Sequence, residues 1–545
     1  MGLDSLIPGT DGPTDVITCK IVIDGTELNN EILVSQLTIN KSFNKIASAK
    51  LVFLDGSAAE RDFPLSNDSQ FKPGNEIEIK LGYCGDVTTV FKGIIIKHGI
   101  KIKESGTSLL MIEAKDKAIK LTGARKSAYF IAQTDSDVIT SLAGDSTPDV
   151  ASTSFSHKQL IQFDATDWDF IVTRAEANSM LVLADDGTLS VKKPAIGAAV
   201  LTATYGDNIY EFEAEMDARK QVQVIQSHSW DYTQQEVEDV SSGSSDFTEP
   251  GNISSDDLGD VLGTEIDLSH TGHLTETQLQ DWADAYAMRN KLSKAVGRVR
   301  IQGNATVKPG TTITLDGVGD RFNGDVYVTG VLHYFVDTWR TDIQFGWQED
   351  WFYKKEGVME KPAAGLLPGI NGLQIGVVLD VDDTEDGGQY RVQVHVPVIT
   401  SGDDGLWARV ATLHAGPERG VYFRPQKNDE VILGFLNDDP REAVILGYLH
   451  SKDTNKSPLP ENDGGEEYGF VTKEKIKLIF DDTNKRMTLS VKTASGEKKI
   501  TLNDDSGAME LKDENGASIK MDSSGITIDA GKGNVTIKGT QVMIN

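Results

Sequence analysis

A mainly-β chain ending in an intertwined trimeric β-prism, a triangular β-helix, is the fold class that three observations predict. First, apolar residues recur two apart in short pairs over residues 486–545: Leu489/Val491, Ile500/Leu502, Met509/Leu511, Ile519/Met521, Ile526/Ile528, Val535/Ile537 and Val542/Ile544. That spacing puts both members of a pair on one face of a strand. Second, turn-forming residues cluster between the pairs, as in Asn503-Asp504-Asp505-Ser506-Gly507 and Asp513-Glu514-Asn515-Gly516. Gly, Asn and Asp there supply turn chemistry, and strands returning every ~7–11 residues are the signature of a β-solenoid. Third, strand-like alternation outnumbers helical periodicity along the rest of the chain. Each terminal strand offers only two or three inward apolar residues, too few to offset the entropy of ordering the chain alone. Three chains sharing one narrow apolar axis would bury them. The predicted axis core is Leu489, Val491, Ile500, Leu502, Met509, Leu511, Ile519, Met521, Ile526, Ile528, Val535 and Ile537. A set of ordinary hairpins in a globular β-domain is the alternative.

The N-terminal residues 1–15 are rich in Gly, Pro and Asp and read as an extended arm. They lack a basic segment followed by an apolar core, so no secretory signal is expected. Strands follow at Ile17–Ile23, Ile32–Ile39 and Ser48–Phe53. At Phe71-Lys72-Pro73-Gly74 a turn launches an alternating strand with Ile77, Ile79 and Leu81 facing one way. Strands at Phe91–Ile96 and Ser108–Ala114 complete a small barrel over about 16–124.

Residues 125–199 read as a helical and strand insert. One helix is expected at about Asp135–Gly144 with Asp135 or Ser136 as its cap. A second starts at Thr166 and carries Trp168, Ile171, Val172 and Ala175 on one face. Trp168 in that pattern is a core residue rather than a ligand platform. The strand Met180–Ala184 follows, closed by the Asp186-Gly187 turn. Residues 236–272 are polar, with Ser241-Ser242-Gly243-Ser244-Ser245 at their centre, and read as a long exposed acidic loop. Thr275 and Gln278 fit a capping box opening a helix to about Ala295, with Leu279, Trp282, Ala283 and Tyr286 on one face and Gly297 ending it. Val307-Lys308-Pro309-Gly310 then repeats the Pro-Gly-then-strand design. With Gly297–Gly303, Tyr327–Phe335 and Thr341–Trp347 it makes a second, related barrel over about 200–353. A Pro/Gly/Ala linker covers 354–374. Five short strands over 375–450 fit an oligonucleotide/oligosaccharide-binding (OB) barrel. A polar linker at 451–466 leads to the terminal stretch, 467–545.

Charge and cysteine content exclude several classes. The formal charge is −30, and residues 201–290 hold 19 Asp and Glu against 3 Lys and Arg. Phosphate affinity needs Lys/Arg surfaces, so nucleic acid is not an expected partner, and an OB groove for it would need basic residues with aromatic platforms. Such a surplus is read as a solvated face. The two cysteines, Cys19 and Cys84, form neither a disulfide framework nor a metal motif. No run of 18 apolar residues exists, so no membrane span is expected. His270 and His273 are the sole close His pair and lack nearby Cys, so no metal is assigned. Asp481-Asp482 and Asp504-Asp505 sit at apparent turns, which outweighs a glycosidase reading. Gly-rich phosphate loops and Gly-x-Ser-x-Gly are missing. No catalytic residue and no cofactor is assigned.

Residues 375–450 carry a specific run of motifs. Ile375-Gly376-Val377-Val378 and Tyr390-Arg391-Val392-Gln393-Val394 open it. Leu406-Trp407-Ala408-Arg409-Val410, Ala415-Gly416 and Gly420-Val421-Tyr422-Phe423-Arg424-Pro425 continue it. Asn428-Asp429-Glu430-Val431 and Ala443-Val444-Ile445-Leu446-Gly447 close it. This run resembles the OB domain of VgrG-type spikes and of the central hub proteins of contractile phage tails. Its motif residues are Trp407, Arg409, Gly416, Phe423, Pro425, Asp429, Glu430 and Gly447. The Thr166–Asn178 helix and the Val307–Leu315 strand resemble the same family's N-terminal module, so the likeness spans nearly the whole chain.

The resemblance implies a homotrimeric, non-enzymatic spike at the tip of a contractile injection system, whether a type VI secretion system or a phage-tail-like particle. Residues 16–353 would form the hub that seats an inner-tube (Hcp-like) protein, the OB domains a neck, and the prism the point. Baseplate proteins, effector cargo and a transiently contacted target membrane are the other implied partners. Such a spike would be made in the bacterial cytoplasm and exported or released with its particle. The linker 451–466 is too short for the lysozyme domain that phage hubs can carry there, and no His follows His450 to hold a tip iron. The sequence stops at Asn545 without an effector domain, so a bare shaft is expected. Its apolar, blunt end, Val542, Met543, Ile544 and Asn545, is the expected contact for a separate PAAR-type tip protein. Two other readings stay open at this point: a cell-wall-degrading tail protein, and a glycan-binding tail fibre or adhesin.

Overall fold

Two Pro-Gly turns organise the N-terminal unit. At the first, Gly74 takes φ +104°, a conformation that costs an L side chain dearly, and its N–H donates to Ile95 O at 2.8 Å while Ile95 N–H returns to Asn75 O at 2.9 Å. At the second, Gly310 takes φ +90°, its N–H donates to Val328 O at 2.8 Å, and Val328 N–H returns to Thr311 O at 2.9 Å. Each turn launches a strand, Glu76–Tyr83 and Thr312–Asp316, whose alternate residues enter a core. Ile79 and Leu81 are fully buried in one, Ile313 and Leu315 in the other. The repeat seen in sequence is therefore a repeat of hydrogen-bond geometry.

The structure is a computed structural model that describes residues 16–544 except 30, 239–242, 385–387, 403 and 460–465. The expected arm 1–15 and Asn545 lie outside the described residues, as do parts of the acidic segment and of the second linker. The chain divides into two units, Met1–Glu360 and Lys361–Asn545.

In the first unit the two strand groups expected as separate barrels share one 13-stranded sheet. The 12-residue strand Gly324–Phe335 joins them because it is long enough to serve both. Its first half pairs with Thr312–Asp316, and its second half pairs with Val34–Ser42, from Gly330 opposite Ser42 to Phe335 opposite Leu37. Two cores remain distinct: Leu37, Phe53, Phe71, Ile79 and Phe91 in one, Val299, Ile313, Val328 and Ile343 in the other.

The insert has a third core, built on Trp168, Ile171, Val172 and Ala175 of the helix Asp167–Ala177 against Val182, Leu189 and Val191. Thr166 caps that helix as expected, accepting from Asp169 N. The preceding helix, Asp135–Leu142, is capped by Thr134 rather than by Asp135 or Ser136, through a capping box with Asp137. Asp135 is instead buried, accepting from Arg174 at 2.6 and 2.9 Å, from Asn178 at 3.0 Å and facing His157 at 3.0 Å. Burial raises its pKa, but Arg174, His157 and Asn178 outweigh that and hold the carboxyl at about 2.

The acidic segment 236–272 is not the bare loop expected. It contains the strand Glu236–Glu238, the short helix Ser255–Gly259, and the strand Glu265–His270, which runs parallel to Val224–Asp231. Lys294, wholly buried, donates to Pro250 O and, at 2.8 Å, to Ile253 O. Backbone carbonyls of the segment thus satisfy a cation that burial alone would exclude. The helix Glu276–Ser293 opens on the Thr275/Gln278 capping box and buries Leu279, Ala283, Met288 and Leu292. Trp282 and Tyr286 lie at the margin of that face. Among the described residues no helix is long and apolar enough to cross a membrane.

The second unit begins with a closed barrel of five strands: Gln374–Asp380, Val392–His395, Leu406–Val410, Ala443–Tyr448 and Glu430–Phe435. Val378, Val392, Val394, Ala408, Val431, Leu433 and Ile445 are fully buried inside it. The second strand, expected over Tyr390–Val396, starts at Val392, because Tyr390 takes φ +58° and cannot extend the ladder. Seven antiparallel strands follow in simple succession: Glu467–Val471, Ile476–Asp481, Arg486–Lys492, Glu497–Asn503, Ala508–Lys512, Ser518–Asp522 and Gly525–Asp529. Residues 530–544 form no strand. The pairs Val535/Ile537 and Val542/Ile544 therefore lack the strands the spacing predicts, since no neighbour within the chain offers them a ladder.

Candidate functional site

The register of the terminal sheet decides what it presents. Directly opposed residues point to the same face. One row runs Phe470, Leu478, Leu489, Ile500, Leu511, Ile519, Ile528, and the next runs Tyr468, Phe480, Met487, Leu502, Met509, Met521, Ile526. Fourteen apolar or aromatic side chains thus cover one face in two unbroken rows. The opposite face carries Lys477, Ser490, Lys499, Lys512, Ser518 and Asp529 in one row, and Thr488, Thr501, Glu510, Lys520 and Thr527 in another.

Burial on this sheet is inverted. Ser490 is 2% exposed and Thr501 8%, whereas Leu489 is 42% and Ile500 41% exposed. Met509, Leu511, Ile526 and Ile528 are likewise exposed. A contiguous apolar face of this kind marks an interaction surface, not a finished protein surface. Ten of the twelve predicted axis residues lie on the seven strands. Nine of these stand in the two rows, and Val491 extends the same face beside Ile476. Val535 and Ile537 lie beyond the last strand and are exposed, as are Val542, Met543 and Ile544. The sequence pattern missed the upstream members Tyr468, Phe470, Leu478, Phe480 and Met487. The residues between them include Gly469 and Ile479, so no polar alternation framed them.

Short turns fix this register. At the 481–486 turn Asp481 accepts from Asn484 N at 3.0 Å and from Arg486 at 2.7 Å. Hydrogen bonds from Asn484, reinforced by Arg486, hold its carboxyl below the ordinary range. Asp522 is held low in the same way by Ser524 and Lys520. Asp504 accepts from Gly507 N through its carbonyl at 3.0 Å. The Asp481 and Asp522 carboxylates are committed to turns, and that of Asp504 is exposed beside Lys485 at 3.5 Å.

The OB-motif residues build the barrel and its outer surface. Trp407 lies half-buried on its strand with the Arg391 guanidinium 5.7 Å from its ring centre, and Arg409 is exposed opposite Val444. Gly416 sits in a two-residue ribbon with Arg419-Gly420, where an added Cβ would meet Arg419 at 2.8 Å. Pro425 is buried. Asp429 accepts from Gln426 N at 2.8 Å, closing the turn before Glu430, which pairs with Val377. Gly447 lies opposite Ile432. Phe423 is exposed, yet stacks on Phe470 with ring centres 5.6 Å apart and 2° between planes. It thereby ties the barrel to the first strand of the apolar face.

Three family models match the chain. Residues 13–337 match the Alg8 N-terminal domain, 374–450 the type VI secretion system/phage-baseplate injector OB domain, and 488–545 the phage baseplate V C-terminal trimerisation domain. Among solved structures, a tail protein from Neisseria meningitidis is similar at 16% identity and a TM-score of 0.46, covering 62% of this chain and 98% of its own. An Escherichia coli type VI secretion component, described as resembling bacteriophage T4 tail proteins, aligns at 13% identity and a TM-score of 0.40, covering 79% of this chain and 100% of its own. The Francisella PdpA–VgrG complex in its half-lidded form aligns at 10% identity and a TM-score of 0.39, covering 91% of this chain and 88% of its own. At these scores the weight rests on the family models.

Proposed function

This chain belongs to the family of the Alg8 N-terminal domain; we propose that it is a spike and baseplate-hub protein of the contractile-injection type, three copies of which wind together into a non-enzymatic puncturing spike. The observation that carries the reading is the inverted burial of the terminal sheet, on residues that overlap the trimerisation domain. Two rows of apolar side chains face water in one chain. Three such faces turned inward would bury them together and leave the Lys- and Thr-bearing faces outside. Each half-exposed side chain then gains about 1 kcal/mol, so fourteen contribute on the order of 10 kcal/mol per chain. The axis residues are those in the two rows, with Val491, Val535 and Ile537 continuing them.

The N-terminal unit is the proposed seat of an Hcp-like inner tube and of baseplate proteins, and the OB barrel the neck. The exposed Val542, Met543 and Ile544, with Asn545 after them, are the proposed contact for a PAAR-type tip protein. Work from sheath contraction would drive the spike through a target envelope and deliver cargo carried with it. Light scattering on the purified full chain tests the core of this. A particle of about three times the 59.2 kDa of one chain is expected. A 59.2 kDa monomer at micromolar concentration overturns it.

A further inference from the structure

The acidic segment brings together a ligand set that sequence spacing hides. The strands Val224–Asp231, Glu236–Glu238 and Glu265–His270 form one small sheet, with Ser229 flanked by Glu238 on one side and His270 on the other. His270 Nδ1 is engaged with the backbone of Gly272, at 2.9 Å to its carbonyl and 3.1 Å to its N–H. The chain turns there, and Ser229 Oγ pins the turn, accepting from Leu274 N at 3.0 Å and donating to Leu274 O at 3.2 Å. That pin brings His273 to Asp231, at the end of the central strand, and to Glu238 on the neighbouring strand.

Three ligand atoms, one from each residue, lie within 4.8 Å of one another. His273 Nδ1 is 3.7 Å from Asp231 Oδ1 and 3.7 Å from Glu238 Oε2. That is too long for hydrogen bonds. It is close to the ~3.3–3.6 Å that separates two ligands bonded at about 2.0–2.2 Å to one tetrahedral cation. Independently, Glu238 Oε2 is shielded from solvent and has no hydrogen-bond partner, a costly state for a carboxylate oxygen. Thr233 donates to Asp231 Oδ1 from its N at 2.7 Å and its Oγ1 at 2.6 Å, which orients the carboxylate and holds its pKa below the ordinary range. The Tyr232 ring stands edge-on to His273 at 6.0 Å.

We propose that Asp231, Glu238 and His273 bind a divalent first-row cation, Zn²⁺ by preference, that staples the acidic segment to the strand Val224–Asp231. Imidazole with two carboxylates favours Zn²⁺ over Ca²⁺ and Mg²⁺, which take oxygen ligands. A fourth position is left for water or a group from a partner. The site is independent of the trimer reading.

The test is equilibrium dialysis of chelator-stripped full-length protein against micromolar ZnCl₂, with bound metal read by atomic emission. The wild-type chain is expected to hold one more Zn²⁺ than either His273→Ala or the near-isosteric Glu238→Gln. Ca²⁺ and Mg²⁺ at the same concentration are expected not to compete. Protease digestion should show residues 243–264 protected by Zn²⁺ in the wild type and not in the variants, with circular dichroism establishing that the variants are folded. Equal zinc content in wild type and both folded variants overturns the site, as does wild-type protein that holds no zinc.

Discussion

Leu511 stands in the middle of one apolar row, between Ile500 and Ile519, and is 44% exposed in the single chain. Leu511→Asp separates two accounts of the terminal sheet. If the sheet works as one chain, the new carboxylate stays hydrated, and the cost is the lost half-burial of a leucine, about 1 kcal/mol. If three sheets close on a shared axis, three carboxylates meet in an apolar interior. Each costs several kcal/mol, and together they remove on the order of 10 kcal/mol per trimer. Ten kcal/mol is ~10⁷-fold in the association constant. Light scattering between 0.1 and 10 μM should therefore change from trimer to monomer. Thr527→Asp, paired with Lys520 on the opposite face, should leave the trimer intact. A Leu511→Asp protein that remains trimeric with an unchanged melting temperature would refute the shared axis.

Asp135→Asn should destabilise the first unit by ~3 kcal/mol in denaturant titrations, because Arg174 loses its charged partner in a buried site. The same carboxyl is held at about 2 in the folded chain, below the ordinary carboxylate range, so its stabilisation is complete above pH ~4 and is lost as pH falls through 2. The loss is on the order of 2 kcal/mol and should appear as a lower melting temperature in Asp135-containing protein alone. Lys294→Met should free residues 250–253, seen as faster amide exchange there, since their carbonyls lose both charged hydrogen bonds. Gly310→Ala should cost ~1–2 kcal/mol in the same titrations, because φ +90° is unfavourable for any side chain.

Where a physical rule acts locally, the residues announce the structure. The Thr166 cap, the Thr275/Gln278 box and the two Pro-Gly turns depend on neighbours within four residues, and each is present. The OB strands were legible because alternation and turn residues coincide; the ends of the first two moved by one or two residues, at Tyr390 because its φ is positive. What stayed hidden depends on distant pairing. Nothing near Gly324 or Phe335 says that one strand will serve two cores, because that is decided by the partner strand Val34–Ser42. The acidic segment reads as solvent-facing by composition, yet a single lysine at 294, some 40 residues away, draws its carbonyls inward. The Asp231, Glu238 and His273 cluster is invisible for the same reason: Ser229 holds the turn after His270, and no spacing rule records it.

The terminal stretch shows why an apolar pattern can be strong in sequence and unsatisfied in one chain. Period-two spacing specifies which face is apolar, and the turns specify register, so which residues share the two rows is set within one chain. Neither property specifies what covers them. A globular sheet is covered by another element of its own chain, as the three N-terminal cores are. Here the seven strands succeed one another without an intervening helix, and among the described residues nothing covers the two apolar rows. The cover must then come from outside, and identical copies are suited to it because each offers the same two rows at the same register. Folding of this stretch and assembly of the trimer are on that account one step, and the stability of residues 467–544 should rise with protein concentration while that of the first unit does not.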